Sequence, residues 1–203
     1  SRRRGQRSIM GFNISYLAAQ APIPVLFEAY HLQSGQQSDG PLPEDETWMA
    51  TLANDWTIWW VARPDAFSLN MINPHRAAGC ARAPVFAVSI AESNMSASIA
   101  KYSATSKRWS ISHEGDNLEK TAIKTTGNLP KDVMAQRDAV FAEQLQAPEN
   151  VDVVFDLPAR VGDAIFAFRY DRVIPDTEVI RWVRPTPMNP NLGPMAQILG
   201  IIA

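Results

Sequence analysis

Four runs in the middle of the chain share one pattern: a stretch rich in β-branched, aromatic and small residues, then a short polar link. The runs are Pro84–Glu92, Met95–Thr105, Lys107–Glu114 and Leu118–Thr126, and the links are Ser93-Asn94, Thr105-Ser106 and Gly115-Asp116-Asn117. Short polar links between such runs are hairpin signals, so residues 84–126 are predicted to form an antiparallel meander. In the third run Trp109, Ile111 and His113 fall on one face, and Ser110, Ser112 and Glu114 on the other.

Towards the N-terminus, Phe12–Leu17 and Val25–His31 read as short strands, the second with both faces partly apolar and preceded by Pro22 and Pro24. Gln33–Pro43 is polar, with Gly, Ser, Asp and Pro, and reads as a loop. Pro43–Asn54 reads as a helix. Proline suits its first turn, Glu44, Asp45 and Glu46 suit the positive end of its dipole, and Trp48 and Leu52 are four apart. Trp56–Val61 is a strand crowded with aromatic area. Asn70–Pro84, with Asn73-Pro74, Gly79 and Cys80, reads as an irregular connection.

Beyond the meander, Asn128 is a cap candidate for a helix to about Gln146, with an apolar stripe of Val133, Met134, Val140, Phe141 and Leu145. Val151–Phe155 reads as a short strand. Asp156 then caps a helix whose apolar face is Val161, Ile165 and Phe168. Thr177–Val183 is a last strand, with Ile180 and Trp182 facing one way. Residues 185–203 carry no charge, and Met195–Ile202 is strongly apolar but too short to span a bilayer. That tail must bury its apolar groups against its own domain, the preferred reading, or against another copy, which would make a homo-oligomer.

These elements place the protein in the α+β class: a mainly antiparallel sheet with helices packed on it. The 203 residues, 46% hydrophobic and 20% charged, suit a single globular domain over residues 10–203. Residues 1–9 are read as a disordered basic tail, since Arg2, Arg3, Arg4 and Arg7 crowd it. No membrane span is expected, and the location is read as cytoplasmic.

Charge changes the picture more by its distribution than by its total of −2. Without the four N-terminal arginines, 15 basic residues face 21 acidic ones. No Lys or Arg occurs from Ser8 to Ala62, a stretch that holds Glu28, Asp39, Glu44, Asp45, Glu46 and Asp55. Such a segment favours a basic partner and disfavours nucleic acid.

Candidate chemistry is sparse. The histidines His31, His75 and His113 form no metal-binding spacing, and no cofactor or metal is expected. A lone cysteine excludes a disulfide framework, and Cys80 near His75 makes only a thin case for a nucleophile. Gly-x-Ser-x-Gly and the glycine-rich phosphate loops do not occur. Trp59 and Trp60 are adjacent, so on a strand they face opposite sides, and one of them is a candidate binding anchor.

The expectation is therefore a non-enzymatic protein-binding domain, adaptor-like or of the immunity or antitoxin kind. Its contact surface would be acidic and Trp-bearing, with Trp59, Trp60, Glu44, Asp45, Glu46 and His113 as candidate residues. The alternative is a small-molecule enzyme or sensor with a pocket near His113, Trp109 and the His75–Cys80 loop.

Overall fold

The alternation in the middle of the chain becomes a run of paired strands. The computed structural model describes residues 11–39, 46–67, 72–115, 122–172 and 180–189. Its elements are β1 (Asn13–Ala19), α1 (Ile23–Tyr30), β2 (Leu32–Ser38), β3 (Trp48–Thr51), β4 (Thr57–Val61), α2 (Pro74–Ala81) and β5 (Val85–Ala91). After them come β6 (Ser96–Tyr102), β7 (Lys107–His113), β8 (Ile123–Gly127), α3 (Lys131–Gln144), a 3-10 turn (Val154–Asp156), α4 (Leu157–Phe166) and β9 (Trp182–Pro187). The described strands form one antiparallel sheet in the order β2-β9-β3-β4-β1-β5-β6-β7-β8. The fold is α+β, and β5 to β8 are the predicted meander.

Both faces of the sheet are covered in its central part. On one side α3, the 3-10 turn and α4 bury Tyr16, Trp48, Trp60, Val88, Ile99, Trp109, Ile111 and Trp182. On the other, α1 and α2 bury Leu17, Met49, Trp59, Val61, Val85 and Ala87. The second layer does not extend over β7 and β8, where Ser110 bonds Thr126 (2.7 Å) and Lys124 bonds Glu114 (2.7 Å) at the surface. That is why the alternation is clean in β7 and blurred in β1 and β4, whose residues are buried on both sides.

Several elements differ from the sequence expectation. Val25–His31 is not a strand: Leu26, Ala29 and Tyr30 are buried at helical spacing on α1, which ends where His31 adopts a left-handed conformation (φ 54°). An apolar run on both faces fits a short buried helix as well as a strand. Within the expected helix 43–54, Trp48–Thr51 is strand β3, paired with β4. Trp48 and Leu52 do share a face, but residues four apart do so in either geometry. Pro43, Glu44 and Asp45 lie outside the described residues.

The polar stretch after His31 is edge strand β2, paired with β9 from Leu32–Pro187 to Ser38–Trp182. No local signal announces a partner some 150 residues away. The Asn73-Pro74 pair starts a helix instead of marking a loop. Asn73 accepts the backbone N–H of His75 (3.0 Å), and Pro74 occupies the first turn of α2.

Residues 151–155 hold no strand. Gln144 accepts the N–H of Val153 (2.6 Å) and donates to the carbonyl of Val151 (2.9 Å), satisfying the backbone of a buried corner. On α3 the N-cap position is Pro130, not Asn128, and the buried residues are Val133, Val140 and Gln144. Met134 and Leu145, placed in the apolar stripe by the sequence, are exposed. On α4, Asp156 stands at the N-cap without a side-chain bond to the backbone and instead binds Arg160 (2.8 Å) and Arg169 (2.5 Å). The last strand starts at Trp182 and runs to Pro187, into the stretch read as tail. The rest of that tail, residues 190–203, lies outside the described residues, as do residues 1–10.

Candidate functional site

The adjacent tryptophans do face opposite sides of the sheet, but both sides are core. Trp60 stacks parallel to Tyr16 (6.5 Å between centroids), and Trp59 meets Tyr30 edge-on (4.9 Å). Both rings have 0% exposure, so neither is available to a partner. Trp48, Trp109 and Trp182 are also buried. Trp56 is half-buried beside exposed Asp55, with its ring against Phe86 and Phe166.

The acidic stretch is partly neutralised by the opposite end of the chain. Arg181 binds Asp39 (3.2 Å), and Arg184, on β9, binds Glu46 (3.2 Å). The sheet places β9 between β2 and β3, so it carries cations into a segment that has none of its own. Glu44 and Asp45 lie outside the described residues.

His113 is buried on the α3/α4 face. Its Nε2–H donates to Asp152 (2.8 Å), and its Nδ1 lies 3.3 Å from the carbonyl of Ala122. The other carboxylate oxygen of Asp152 accepts the N–H of Phe155 (3.1 Å), which caps the 3-10 turn. His113 therefore ties the end of the meander to the corner between α3 and α4. Trp109 shares its face, next to Phe86 (5.9 Å). His75 and Cys80 are on α2, across the sheet, where His75 packs edge-on against Tyr102. The pocket that would have joined His113, Trp109 and the His75–Cys80 segment is thus divided by the sheet itself. Among the described residues no three His, Cys, Asp or Glu side chains are grouped to hold a metal. None of the helices there is long and apolar enough to cross a membrane.

Unpaired positive charge collects elsewhere. The pairings Val85–Tyr102 and Tyr102–Lys107 bring the start of β5, the end of β6 and the start of β7 to one end of the sheet. Arg82 precedes β5, Lys101 ends β6, and Lys107 and Arg108 open β7. Arg82, Lys107 and Arg108 are exposed and make no ion pair among the described residues, and Lys101 lies over the ring of Phe86 (5.6 Å). Asp55, at this same end, is three strands away from β6, roughly 14 Å at ordinary strand spacing, and Asp132 follows the end of β8 in the first turn of α3 without an ion pair to these cations.

The charges on α4 itself are paired. Arg160 links Glu143 to Asp156, and Arg169 links Asp156 to Asp171. The hydrogen bond from Arg160 holds the Glu143 carboxyl below its ordinary value. Burial pushes the Asp171 carboxyl up, but the hydrogen bond and charge of Arg169 outweigh it and the net shift is downward. Burial raises the Tyr16 and Tyr30 hydroxyls far beyond their usual range, so both stay neutral.

A shallow cleft of about 400 Å³ opens beside α1, lined by Pro24, Phe27, Glu28, His31, Leu32, Gln33 and Met188. No protein-family model, no curated protein and no solved structure matches this chain.

Neither the basic sheet end nor the cleft was among the sequence candidates. The first had a legible signal, since Lys101 and Lys107-Arg108 flank a hairpin link that the pattern does locate. The second had none, because it requires α1 to be a helix and Met188 to return beside it.

Proposed function

We propose that the protein acts by binding another protein, and that the contact surface is the basic end of the sheet around the β6–β7 link. The partner is then acidic, the reverse of the sign expected from the composition of residues 8–62. The observation that supports this reading is the contrast in pairing. Asp39 and Glu46 are matched by Arg181 and Arg184, while Arg82, Lys101, Lys107 and Arg108 gather at one end without an ion pair among the described residues. Unmatched like charges repel one another in the folded protein, and such a cluster is available for steering and docking. The chain as a whole is negative, which opposes the long-range attraction of a nucleic acid and leaves a local acidic protein surface as the better match. A cytoplasmic location goes with this reading, since the exposed thiol of Cys80 persists in a reducing compartment.

The test uses a photo-cross-linking amino acid at exposed Thr105, in the β6–β7 link, with exposed Ala142 on α3 as the control site. In the native cell, an adduct with an acidic protein is expected from the Thr105 position alone. It disappears in the double variant Lys107→Glu, Arg108→Glu, and weakens as salt is raised in the lysate. An adduct that survives charge reversal, or one with nucleic acid, overturns the reading.

A further inference from the structure

The cleft beside α1 combines three features. Its walls are apolar: Pro24 and Phe27 from α1, Leu32 from the start of β2, and Met188, which is 61% exposed. It sits where β9 leaves the sheet, since the N–H of Met188 donates to the carbonyl of His31 (2.9 Å) and so continues the β2–β9 ladder by one step. From that point residues 190–203 follow, with no charge among them and with Met195, Ala196, Ile198, Leu199, Ile201 and Ile202 in one short run.

We propose that this C-terminal segment folds back over α1 and seats its apolar side chains in the cleft. The connecting residues have the chemistry for a reversal, with Pro190, Gly193 and Pro194 between the end of the sheet and the apolar run. Reach is ample: six residues span up to about 20 Å, while an eight-residue helix is about 12 Å long. Residues 190–202 bring no charged side chain to be desolvated, and the polar lining residues Glu28 and His31 are themselves exposed, His31 being bonded to Arg76 (2.9 Å). A tether this short also presents the segment at an effective concentration near the millimolar range, well above what a second copy reaches in dilute solution. The occupant of the cleft is therefore the segment's own chain and not a neighbouring molecule. This contact is independent of the basic sheet end and of any partner bound there.

The test is made on the full chain. A photo-cross-linking amino acid replaces exposed Gln33, which lines the cleft, and the adduct is mapped by mass spectrometry. A link within one chain to a peptide from residues 190–203 is expected. A dimer-sized adduct, showing a second copy in the cleft, overturns the proposal, and so does the absence of any link to that segment. In parallel, amide hydrogen exchange is compared between the unmodified chain and the double variant Ile198→Asp, Leu199→Asp. Exchange about tenfold faster at residues 24–33, with β6 and β7 unchanged, is the expected result. Unchanged exchange at residues 24–33 refutes docking there. Should the variant lose protection throughout, the cross-link decides alone.

Discussion

Trp59 and Trp60, side by side on β4, are each fully buried, on opposite faces of the same sheet. Among the described residues neither indole N–H has a hydrogen-bond acceptor, nor do those of Trp48, Trp109 and Trp182. These rings contribute through apolar area and shape, not through polar bonds. Trp59→Ala and Trp60→Ala should each cost about 3–5 kcal/mol, the range for deleting a large aromatic from a core. Trp60→Phe should cost clearly less, because the lost volume is offset by removal of an unmet buried donor. Urea melts of the variants check both statements; equal losses for Ala and Phe would show that the N–H is satisfied in solution.

How much of this was legible in the sequence follows from the range of the interactions. The meander from β5 to β8 is built from neighbours in the chain, and its links and alternation are written locally. Strand β2 is not: Gln33 and Ser34 pair with Thr186 and Pro185, and a polar stretch read alone looks like a loop. The same non-local pairing explains the charge. The stretch without Lys or Arg looks like an acidic face until Arg181 and Arg184 are placed across it. The sequence marks His113 as a candidate, yet its partner Asp152 lies 39 residues on, in a corner whose shape depends on Gln144.

That pair makes the second prediction. His113 is almost fully buried and bonded to Asp152, whose side chain is about four-fifths buried and also accepts the N–H of Phe155. His113→Ala should cost about 2–4 kcal/mol, from the lost packing and from a mostly buried carboxylate left with only the N–H of Phe155. A thermal or urea melt reads the loss, while cross-linking at Thr105 to the partner should persist in the folded variant. If instead the melt is unchanged and the cross-link is lost, His113 belongs to a binding site.

Acid should loosen the α4 side first. The folded-state carboxyls of Glu143 and Asp171 titrate below their ordinary values, held by Arg160 and Arg169. For a depressed carboxyl the stabilisation is fully present above the unfolded value, about 4, and fades as pH falls through the lower folded value. Stability should thus be flat in this respect above about pH 5 and decline below pH 4. In the double variant Arg160→Met, Arg169→Met the part of the acid decline owed to these two pairs should be lost. A melting-temperature profile from pH 2 to 7 for both proteins tests the sign, and parallel profiles would remove these pairs from the account.

Gly127 links the fold to the basic sheet end. It closes β8 opposite Trp109 with φ +71°, a left-handed conformation that glycine adopts without steric penalty. A Cβ there would run into the backbone carbonyl of Arg108, which belongs to β7 and cannot swing aside as a side-chain tip would. Gly127→Ala must therefore part β8 from β7 at this point, on top of the cost of holding alanine at positive φ. The expected loss is about 1–3 kcal/mol. Because Arg108 stands on the displaced backbone, the same change should weaken the Thr105 cross-link to the acidic partner while leaving the Trp60 environment, five strands from β8, unaltered. Near-ultraviolet circular dichroism and the cross-link yield, measured on one preparation, separate the two effects. A variant with lowered stability and full cross-linking would show that Arg108 does not position the contact surface, and would narrow that surface to Arg82, Lys101 and Lys107.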